Sequence, residues 1–389
     1  MGRYLQRLLE AFKKGDLVLL LLCVVATVFG CLIIASATNA TSTGPWQYLL
    51  VQIGASVFGV LFYVVISSIE TETLAEHRTG LAIFNTVLLL MLIPFGITVS
   101  GNRSWLSFRI LPFNIQPAEI CKITFVLIMS SLMVSYQNRL STPRSVFHMA
   151  LHLILVAGVN WVISRDAGVS LIFVAIFVGM TIAGGVNLLW HGSALACIAV
   201  MFPLLWNGLM DNYQRLRIQV LFNPELDANG TGVRYQTVRA LRSLTGGGLT
   251  GQGLFQGHRT QTSGALFAQH TDFIFCAIGE EMGFVGCFLV LVLLFLIVAR
   301  CIWVGVRSQD MLRRLVCFGV ASALIFQIVV NVGMCVGVMP VIGLTLPFIS
   351  YGGSSIITLY AMMGIVSGVY ARPNATSHER YIRAPLQHY

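Results

Sequence analysis

Charged residues are scarce in this sequence. They make up 10% of the 389 residues, whereas 56% are hydrophobic. A soluble domain carries about 25% charged residues, so the composition excludes an ordinary soluble protein and makes the bilayer the solvent of this chain. The apolar runs also lack the period-two alternation of membrane strands, which favours helices over a barrel. No small-residue cleavage site follows the first apolar run, so the sequence predicts no cleavable signal peptide.

Several chemical motifs are missing as well. The nine cysteines never form Cys-x-x-Cys, so we interpret them as small hydrophobes rather than metal ligands or disulfide partners. The glycine-rich stretch 244–261 lacks the Lys-Ser/Thr ending of a P-loop, which argues against nucleotide binding and favours a tightly turned or flexible loop. Nothing indicates nucleic acid, because the formal net charge of +9 is explained by basic residues that meet anionic lipid head groups.

What the sequence does contain is ten apolar runs, each close to the roughly 20 residues that a helix needs to cross a bilayer. They lie near residues 17–38, 46–68, 80–99, 119–137, 145–163, 167–184, 187–209, 272–299, 312–338 and 347–370. The sequence therefore predicts an all-α polytopic membrane protein with about ten transmembrane helices. We expect one membrane domain over residues 1–389, with a large extracytoplasmic loop, 210–271, between helices seven and eight.

Basic residues are distributed unequally between the two sides of these spans. With ten spans both termini lie on one side, and that side holds fourteen lysines and arginines: Arg3, Arg7, Lys13, Lys14, Arg78, Arg139, Arg144, Arg300, Arg307, Arg313, Arg314, Arg372, Arg380 and Arg383. The short loops of the other side hold only Arg103, Arg109, Lys122 and Arg165. Because short cytoplasmic loops carry an excess of Lys and Arg, we place both termini in the cytoplasm and the 210–271 loop outside.

Asp227 lies in the middle of "FNPELDANGTGVRYQ", residues 222–236, a polar segment of that loop. A carboxylate held on a turn beside several arginines can act as a general base. The commoner role of aspartate among such turn residues is to cap the turn. The residues alone leave both roles open.

Ionisable residues also interrupt the apolar runs, where a charge is costly. Glu119 and Lys122 share one helix face at i, i+3 spacing. The others are Arg165, Asp166, Glu280 and Glu281. A polar functional cavity and a structural salt bridge both explain such residues, and the sequence leaves the two open. Residues 346–366 are rich in small side chains, so we expect helices to pack closely there.

In chain order, these stretches resemble the SEDS family (shape, elongation, division and sporulation), whose members include RodA and FtsW. "IQPAEICKI" is similar to the family's Gln-Pro-Ser-Glu-x-x-Lys segment, and "NPELDANGTGVRYQ" to its Pro-x-x-Asp-Pro-x-Gly-x-Gly-Tyr-Gln pattern. "GNRSWL" and "SRDAG" resemble two shorter segments, while "HTDFIFCAIGEEMGFVG" and "LPFISYGGSS" are close to its most distinctive runs. The run 331–353 resembles RodA more than FtsW.

The departures from the family pattern are few. Arg103 stands one place earlier than the family's Arg before Trp, Ala228 replaces a Pro, and Arg165 replaces another Pro. Val233 and Arg234 widen the step before Tyr-Gln, which would place Arg234 in the site. None of these changes removes a group that the chemistry needs.

The resemblance implies a peptidoglycan glycosyltransferase. Such enzymes polymerise lipid II into glycan strands on the outer face of the bacterial cytoplasmic membrane, for cell elongation and shape or for division. It gives Asp227 the role of general base in an inverting displacement, and it implies that Lys122 pairs with both Glu119 and Asp166 in a membrane cavity. The residues expected to bind substrate are Arg103, Glu119, Lys122, Asp166, Arg215, Arg217, Arg234 and Gln236.

The resemblance also bears on cofactors, partners and rival functions. We expect no organic cofactor, and a divalent cation (Mg or Mn), if used, would be shared with the pyrophosphate of lipid II. The expected partner is a class B penicillin-binding protein, the transpeptidase that crosslinks the strands. A lipid II flippase or transporter is the alternative function, although the sequence lacks the internal repeat that transporters often show. A structural scaffold of the elongation or division machinery is a third hypothesis.

Overall fold

The computed structural model describes residues 12–41, 44–99, 101–108, 113–208, 210 and 212–372. Helices dominate this part of the chain. They are α1 (Leu17–Thr38), α2 (Gly44–Ser67), α3 (Thr71–Glu76), α4 (Arg78–Leu90), α5 (Leu92–Phe95), α6 (Pro117–Ser135), α7 (Pro143–Leu153), α8 (Val159–Ser164), α9 (Ala167–Ala183), α10 (Leu188–Gly208), α11 (Asn212–Phe222), α12 (Tyr235–Gly246), α13 (Ile274–Arg307), α14 (Met311–Cys335) and α15 (Gly353–Ala371). A π-helical turn (Ile154–Gly158) joins α7 to α8, and a 3-10 turn (Pro224–Asp227) follows α11.

Each of the ten predicted apolar runs contains a helix. Among the described residues, nine helical stretches are long and apolar enough to cross a membrane, with α4–α5 and α7–α8 each counted as one stretch. The tenth, α9, is apolar but has only 17 residues. The predicted helical, multi-pass membrane protein is confirmed, while the count of ten spans and the side of the large loop stay predictions. Of the basic residues used to orient the chain, five lie outside the described residues: Arg3, Arg7, Arg109, Arg380 and Arg383.

One predicted helix ends early, and the chain is not strictly all-α. The run 80–99 predicts a helix to its end, but the helix stops at Phe95. Residues Gly96–Val99 form β1, which pairs antiparallel with β2 (Asn102–Leu106). Gly101 turns the hairpin with a φ of +89°, a conformation that costs glycine no steric energy. The β-branched residues of β1 favour this strand, which the overall apolarity of the run concealed.

Small residues bring α2 and α15 together, as predicted for residues 346–366. A Cβ at Gly364 would lie 2.7 Å from the carbonyl oxygen of Tyr63, and a Cβ at Gly59 would lie 2.7 Å from Cδ2 of Tyr360. Both distances are well inside the optimal separation of about 3.5–4.0 Å for carbon atoms. The close approach of the two helices therefore depends on these glycines.

The glycine-rich stretch packs into a break in α13. At Gly283 the helix adopts a φ of 67° and a ψ of −163°. The next two backbone N–H groups donate to the carbonyl oxygens of Gly248 and Leu249 (2.9 and 3.2 Å), which replaces hydrogen bonds that the break removes from the helix. A Cβ at Gly251 would lie 2.2 Å from the carbonyl oxygen of Glu281. The stretch is thus a tightly turned loop whose glycines allow backbone to pack on backbone.

Candidate active site

Asp227 ends the 3-10 turn after α11, and its carboxylate is enclosed by backbone donors. The N–H groups of Thr231 (3.2 Å), Gly232 (3.1 Å) and Arg234 (2.9 Å) all donate to it. The intervening turn residues bend the chain back over the carboxylate, so Asp227 does cap its own turn. The side chain remains partly exposed, which leaves it accessible from the solvent side.

These hydrogen bonds stabilise the ionised form of Asp227. The bond from the Arg234 N–H is the largest influence, and with those from Thr231 and Gly232 it lowers the pKa of the Asp227 carboxyl from its ordinary value. Hydrogen bonds to the charged form favour that form. The carboxylate is therefore ionised at neutral pH, which is the state that a general base requires. Capping and proton acceptance are compatible roles for this residue.

Two of the arginines expected to bind substrate, Arg234 and Arg215, are held by backbone carbonyl groups. Arg234 donates to the carbonyl oxygen of Pro224 (3.1 Å) and so supports the Asp227 turn. Arg215 donates to the carbonyl oxygens of Met210 (2.9 Å) and Asn207 (3.2 Å), at the end of α10. Carbonyl groups carry no net charge, so these contacts position both guanidinium groups without neutralising them.

The segment 336–345, between α14 and α15, links the loop to the helices beneath it. Arg217 of α11 donates to the carbonyl oxygen of Val341 (2.8 Å). The next residue of the segment, Ile342, lies so close to α9 that a Cβ at Gly168 would be 2.7 Å from its carbonyl oxygen. One short segment therefore contacts the helix that leads into the Asp227 turn and the start of α9, where Asp166 is found.

Asp166 caps the N-terminus of α9 inside a buried polar cluster. It accepts hydrogen bonds from the side chains of Gln116 (3.2 Å) and Ser104 (3.5 Å) and from the Val169 N–H (3.1 Å). These donors come from the residue before α6, from β2 and from α9 itself. The hairpin that the sequence did not predict thus completes the surroundings of a predicted site residue.

Lys122 and Glu119 form an ion pair on α6, with 2.8 Å between Nζ and Oε1. The hydroxyl of Thr358 on α15 donates to the other oxygen of Glu119 (2.9 Å). The second pair that the resemblance implied, between Lys122 and Asp166, is not among the ion pairs of the described residues. Neutral donors already occupy Asp166, so Lys122 has its carboxylate partner on its own helix.

Arg103 and Gln236, two further expected substrate-binding residues, lie apart from this cluster. Side chains alternate along a strand, so Arg103 projects from the face of β2 opposite Ser104, is exposed, and donates to the carbonyl oxygen of Ile93 (2.7 Å). Gln236 helps to line a shallow depression of about 280 Å³ beside the Asp227 turn, together with Thr231, Gly232, Val233 and Tyr235. The structure therefore groups Gln236 with Asp227 and places Arg103 on the outside of the hairpin.

Asp272 is a carboxylate of this region that the sequence analysis did not single out. It stands two residues before α13, and a Cβ at Gly343 would lie 3.6 Å from its Oδ2. Burial, reinforced by the negative charge of Asp166, raises the pKa of Asp272 to about 6. A signal was available in "HTDFIF", where this acid opens a long apolar run. The segment 336–345 thus lies against a second carboxylate as well as α9.

The two glutamates of α13 bind the loop, Glu281 through the side chain of Gln261 (3.1 Å), and neither has an ion pair among the described residues. The hydroxyl groups of Ser243 on α12 (2.5 Å) and of Thr260 (2.7 Å) donate to Glu280, as does the Thr260 N–H (3.0 Å). Glu281 accepts a hydrogen bond from Ser36 on α1 (2.6 Å). Both carboxylates are buried, and they fix the extramembrane segment to the broken helix. α12 begins directly after the Asp227 turn, so this attachment also restrains the turn.

The fold and the site together define a multi-pass helical membrane protein with an ionised carboxylate on a structured loop above a buried acid–lysine cluster. The family model of the FtsW, RodA and SpoVE cell cycle proteins matches residues 16–374. The chain belongs to this family, the SEDS family that the motifs resemble, and its members include peptidoglycan glycosyltransferases.

Curated relatives cover nearly the whole chain. The peptidoglycan glycosyltransferase MrdB of Escherichia coli K12 is 31% identical over 357 residues, which is 91% of this chain and 93% of that protein. A probable peptidoglycan glycosyltransferase FtsW of Geobacter metallireducens is 30% identical over 95% of this chain and 98% of its own length. Relatives named MrdB and FtsW therefore both align over more than 90% of this chain.

Solved structures share the fold. One, described as a peptidoglycan synthase complex that coordinates polymerisation and crosslinking, superposes with a TM-score of 0.75 at 27% identity and covers 92% of this chain and 97% of its own. Another is an aspartate-to-alanine mutant of the rod shape determining protein RodA of Thermus thermophilus. It has a TM-score of 0.69 at 25% identity and covers 93% of this chain and 99% of its own.

Proposed function

We propose that this protein is a peptidoglycan glycosyltransferase that polymerises lipid II at the outer face of the bacterial cytoplasmic membrane, with both termini in the cytoplasm. The observation that carries the proposal is the Asp227 carboxylate, which is ionised, partly exposed and held by three backbone N–H groups. The names of the full-length relatives support the same reaction class. The elongation branch is favoured by the RodA-like run 331–353, and division is the other branch.

The reaction needs one base and a set of cations. Lipid II carries its sugar on an α-linked pyrophosphate, and a β-linked product requires a single inverting displacement. Asp227 takes the proton of the acceptor 4-hydroxyl as the new C–O bond forms, while the sugar–pyrophosphate bond breaks and the electron pair leaves with the pyrophosphate. The leaving group is already a stable anion, so no protonating acid is required. Its growing charge is stabilised by Arg215, Arg217 and Arg234, whose charges act most strongly in the transition state.

A divalent cation remains part of the proposal in a limited role. No group of three or more His, Cys, Asp or Glu residues in the described part of the chain could hold a metal ion. Mg²⁺ or Mn²⁺ would therefore be bound by fewer than three such side chains of the described residues, with pyrophosphate oxygens among its other ligands. Such an ion would neutralise the pyrophosphate. Proton transfer to Asp227 does not depend on it.

The break in α13 does not favour the transporter alternative. Transporters often bind substrate at discontinuous helices. Here the glycine-rich loop occupies the break, and the carbonyl oxygens of Gly248 and Leu249 accept the freed N–H groups. Because these N–H groups already have hydrogen-bond partners in the loop, they are not available to bind substrate. The partner we propose is a class B penicillin-binding transpeptidase, in line with the crosslinking activity named for the synthase complex.

The decisive experiment is polymerisation of lipid II by the full chain, purified with its transpeptidase partner and supplied with Mg²⁺ or Mn²⁺. We expect Asp227→Asn to insert and bind the partner normally but to lower the rate of strand formation on a gel by about 10²–10⁴-fold, the usual contribution of a positioned base. Glu225→Gln is the matched control, because it removes an exposed charge of the same loop and should leave the rate unchanged.

Two outcomes would overturn parts of the proposal. Normal strand formation by Asp227→Asn would show that another group is the base. Absence of strands from every variant, while labelled lipid II crosses vesicle bilayers that contain this protein alone, would assign the protein as a flippase.

A further inference from the structure

A groove at the far end of α13 has the features of a second binding site. Beyond its break at Gly283, α13 continues over residues 284–307, about 36 Å of helix at 1.5 Å per residue, so the break and the last turn lie near opposite faces of a bilayer. Its first turn adjoins Asp272 and the active-site loop. At its last turn, α13 and the end of α15 enclose a groove of about 260 Å³, lined by Trp303, Val304, Arg307, Ser308, Val369 and Tyr370. In the proposed orientation this groove opens at the cytoplasmic leaflet.

Two guanidinium groups stack on Trp303, and only one of them is neutralised. The Cζ atoms of Arg300 and Arg307 lie 4.2 and 4.1 Å from the centroid of the indole ring. Arg300 is paired with Asp16 through two hydrogen bonds of 2.8 and 3.0 Å. Arg307 is exposed and has no ion pair with any residue that the structure describes. Arg307 therefore gives the groove a positive charge that no acidic side chain of the described residues pairs with.

The remaining walls suit a lipid rather than a soluble anion. Val304 and Val369 are buried aliphatic residues that would line an acyl chain. The rings of Trp303 and Tyr370 lie 6.2 Å apart at the mouth of the groove. Amphipathic rings of this kind are favoured at the level of lipid head groups. The groove thus combines an apolar floor, an aromatic rim and one cation.

We propose that this groove binds one anionic glycerophospholipid of the cytoplasmic leaflet, with its phosphate beside Arg307 and an acyl chain along Val304 and Val369. A basic residue near the surface attracts an anionic lipid by about 1 kcal/mol, which corresponds to about a fivefold preference over a zwitterionic lipid. This site is separate from the proposed polymerase reaction, so either assignment can stand without the other.

Trp303 supplies the measurement. The full chain is reconstituted in phosphatidylcholine vesicles. A small fraction of a brominated lipid is added, either brominated phosphatidylglycerol or brominated phosphatidylcholine. Brominated acyl chains quench tryptophan fluorescence on contact. Subtracting the signal of Trp303→Phe isolates this residue. We expect brominated phosphatidylglycerol to quench Trp303 at about one fifth of the concentration that brominated phosphatidylcholine requires. Arg307→Gln should abolish the preference. Arg144→Gln, which removes an exposed arginine from the first turn of α7, should keep it.

Three results would overturn the proposal. Equal quenching by the two brominated lipids would show that the groove does not select charge. Loss of the preference in Arg144→Gln as well as in Arg307→Gln would attribute it to the general surface charge. Removal of the preference by inorganic phosphate in the buffer would assign the groove to a soluble phosphate compound.

Discussion

Asp227 and Asp272 are carboxylates of the same side of the molecule whose pKa values move in opposite directions. Asp227 is surrounded by N–H donors, which stabilise its charge. Asp272 is half-buried near Asp166, and both its loss of solvent and the like charge oppose ionisation. At neutral pH the first is firmly ionised and the second is within about one unit of its pKa of about 6. The two acids are thus suited to different tasks, although both follow turns in a polar segment.

A stability measurement on Asp272→Asn tests this difference. Because the folded pKa of Asp272 is raised above its unfolded value, its charge opposes folding above about pH 6, and this effect vanishes below the unfolded pKa of about 4. We therefore expect Asp272→Asn to raise the melting temperature in detergent at about pH 8, by an amount that shrinks toward zero at about pH 4.5. Glu225→Gln, an exposed acid, should show no such trend. An equal loss of stability in Asp272→Asn at both pH values would contradict the assignment.

At the scale of the elements, Glu280 joins α13 to the parts of the loop that adjoin the Asp227 turn. Its carboxylate accepts hydrogen bonds from Ser243 on α12, from the Arg259 N–H and from Thr260. α12 starts at Tyr235, directly after the turn that holds Asp227. A single buried carboxylate thus transmits the position of a membrane helix to the loop outside it.

We expect Glu280→Gln to loosen this attachment. The amide keeps the shape of the side chain but turns one acceptor into a donor that faces other donors, which should lower the free energy of unfolding by about 1–3 kcal/mol. Trypsin should then cleave faster after Arg259, and strand formation should slow because the Asp227 turn loses its support. Glu76→Gln, on the exposed side of α3, is the control and should match wild type. Wild-type proteolysis and activity in Glu280→Gln would show that α12 is held by other contacts.

The packing of α2 on α15 provides a second test at this scale. A methyl group at Gly364 would meet the backbone of Tyr63 at 2.7 Å, and backbone cannot rotate away as a side chain can. Gly364→Ala should therefore lower the free energy of unfolding by about 1–3 kcal/mol, the usual cost of overpacking. Gly54→Ala, in α2, meets nothing within 4 Å, so it should be neutral or slightly stabilising because alanine favours helices. Thermal unfolding in detergent compares the two variants. Equal melting temperatures for Gly364→Ala and Gly54→Ala would mean that α2 and α15 move apart easily enough to accept the extra methyl group.

For the whole molecule, the apolar runs predicted the helices well because the bilayer requires length and apolarity from each span. The motifs singled out Asp227 as a candidate base, and the i, i+3 spacing placed Glu119 and Lys122 on one helix face. The hairpin at 96–106 was missed because its strand is as apolar as a helix. The partners of Glu280 were missed for another reason: they lie about 20–40 residues away along the chain. Hydrogen bonds between distant segments depend on the folded geometry, and one sequence does not record them.

The break at Gly283 has a mechanical consequence for the whole protein. The part of α13 beyond it, residues 284–307, is about 36 Å long at 1.5 Å per residue, close to the thickness of a bilayer. The part before it is fastened to the loop by the Glu280 carboxylate, and the glycine-rich stretch is hydrogen-bonded to the backbone on both sides of the break. When lipid composition changes membrane thickness, a span adjusts by tilting. Because the glycine-rich stretch is hydrogen-bonded to both sides of the break, we expect tilting of the longer part to be passed on to the loop, so the position of Asp227 would respond to bilayer thickness.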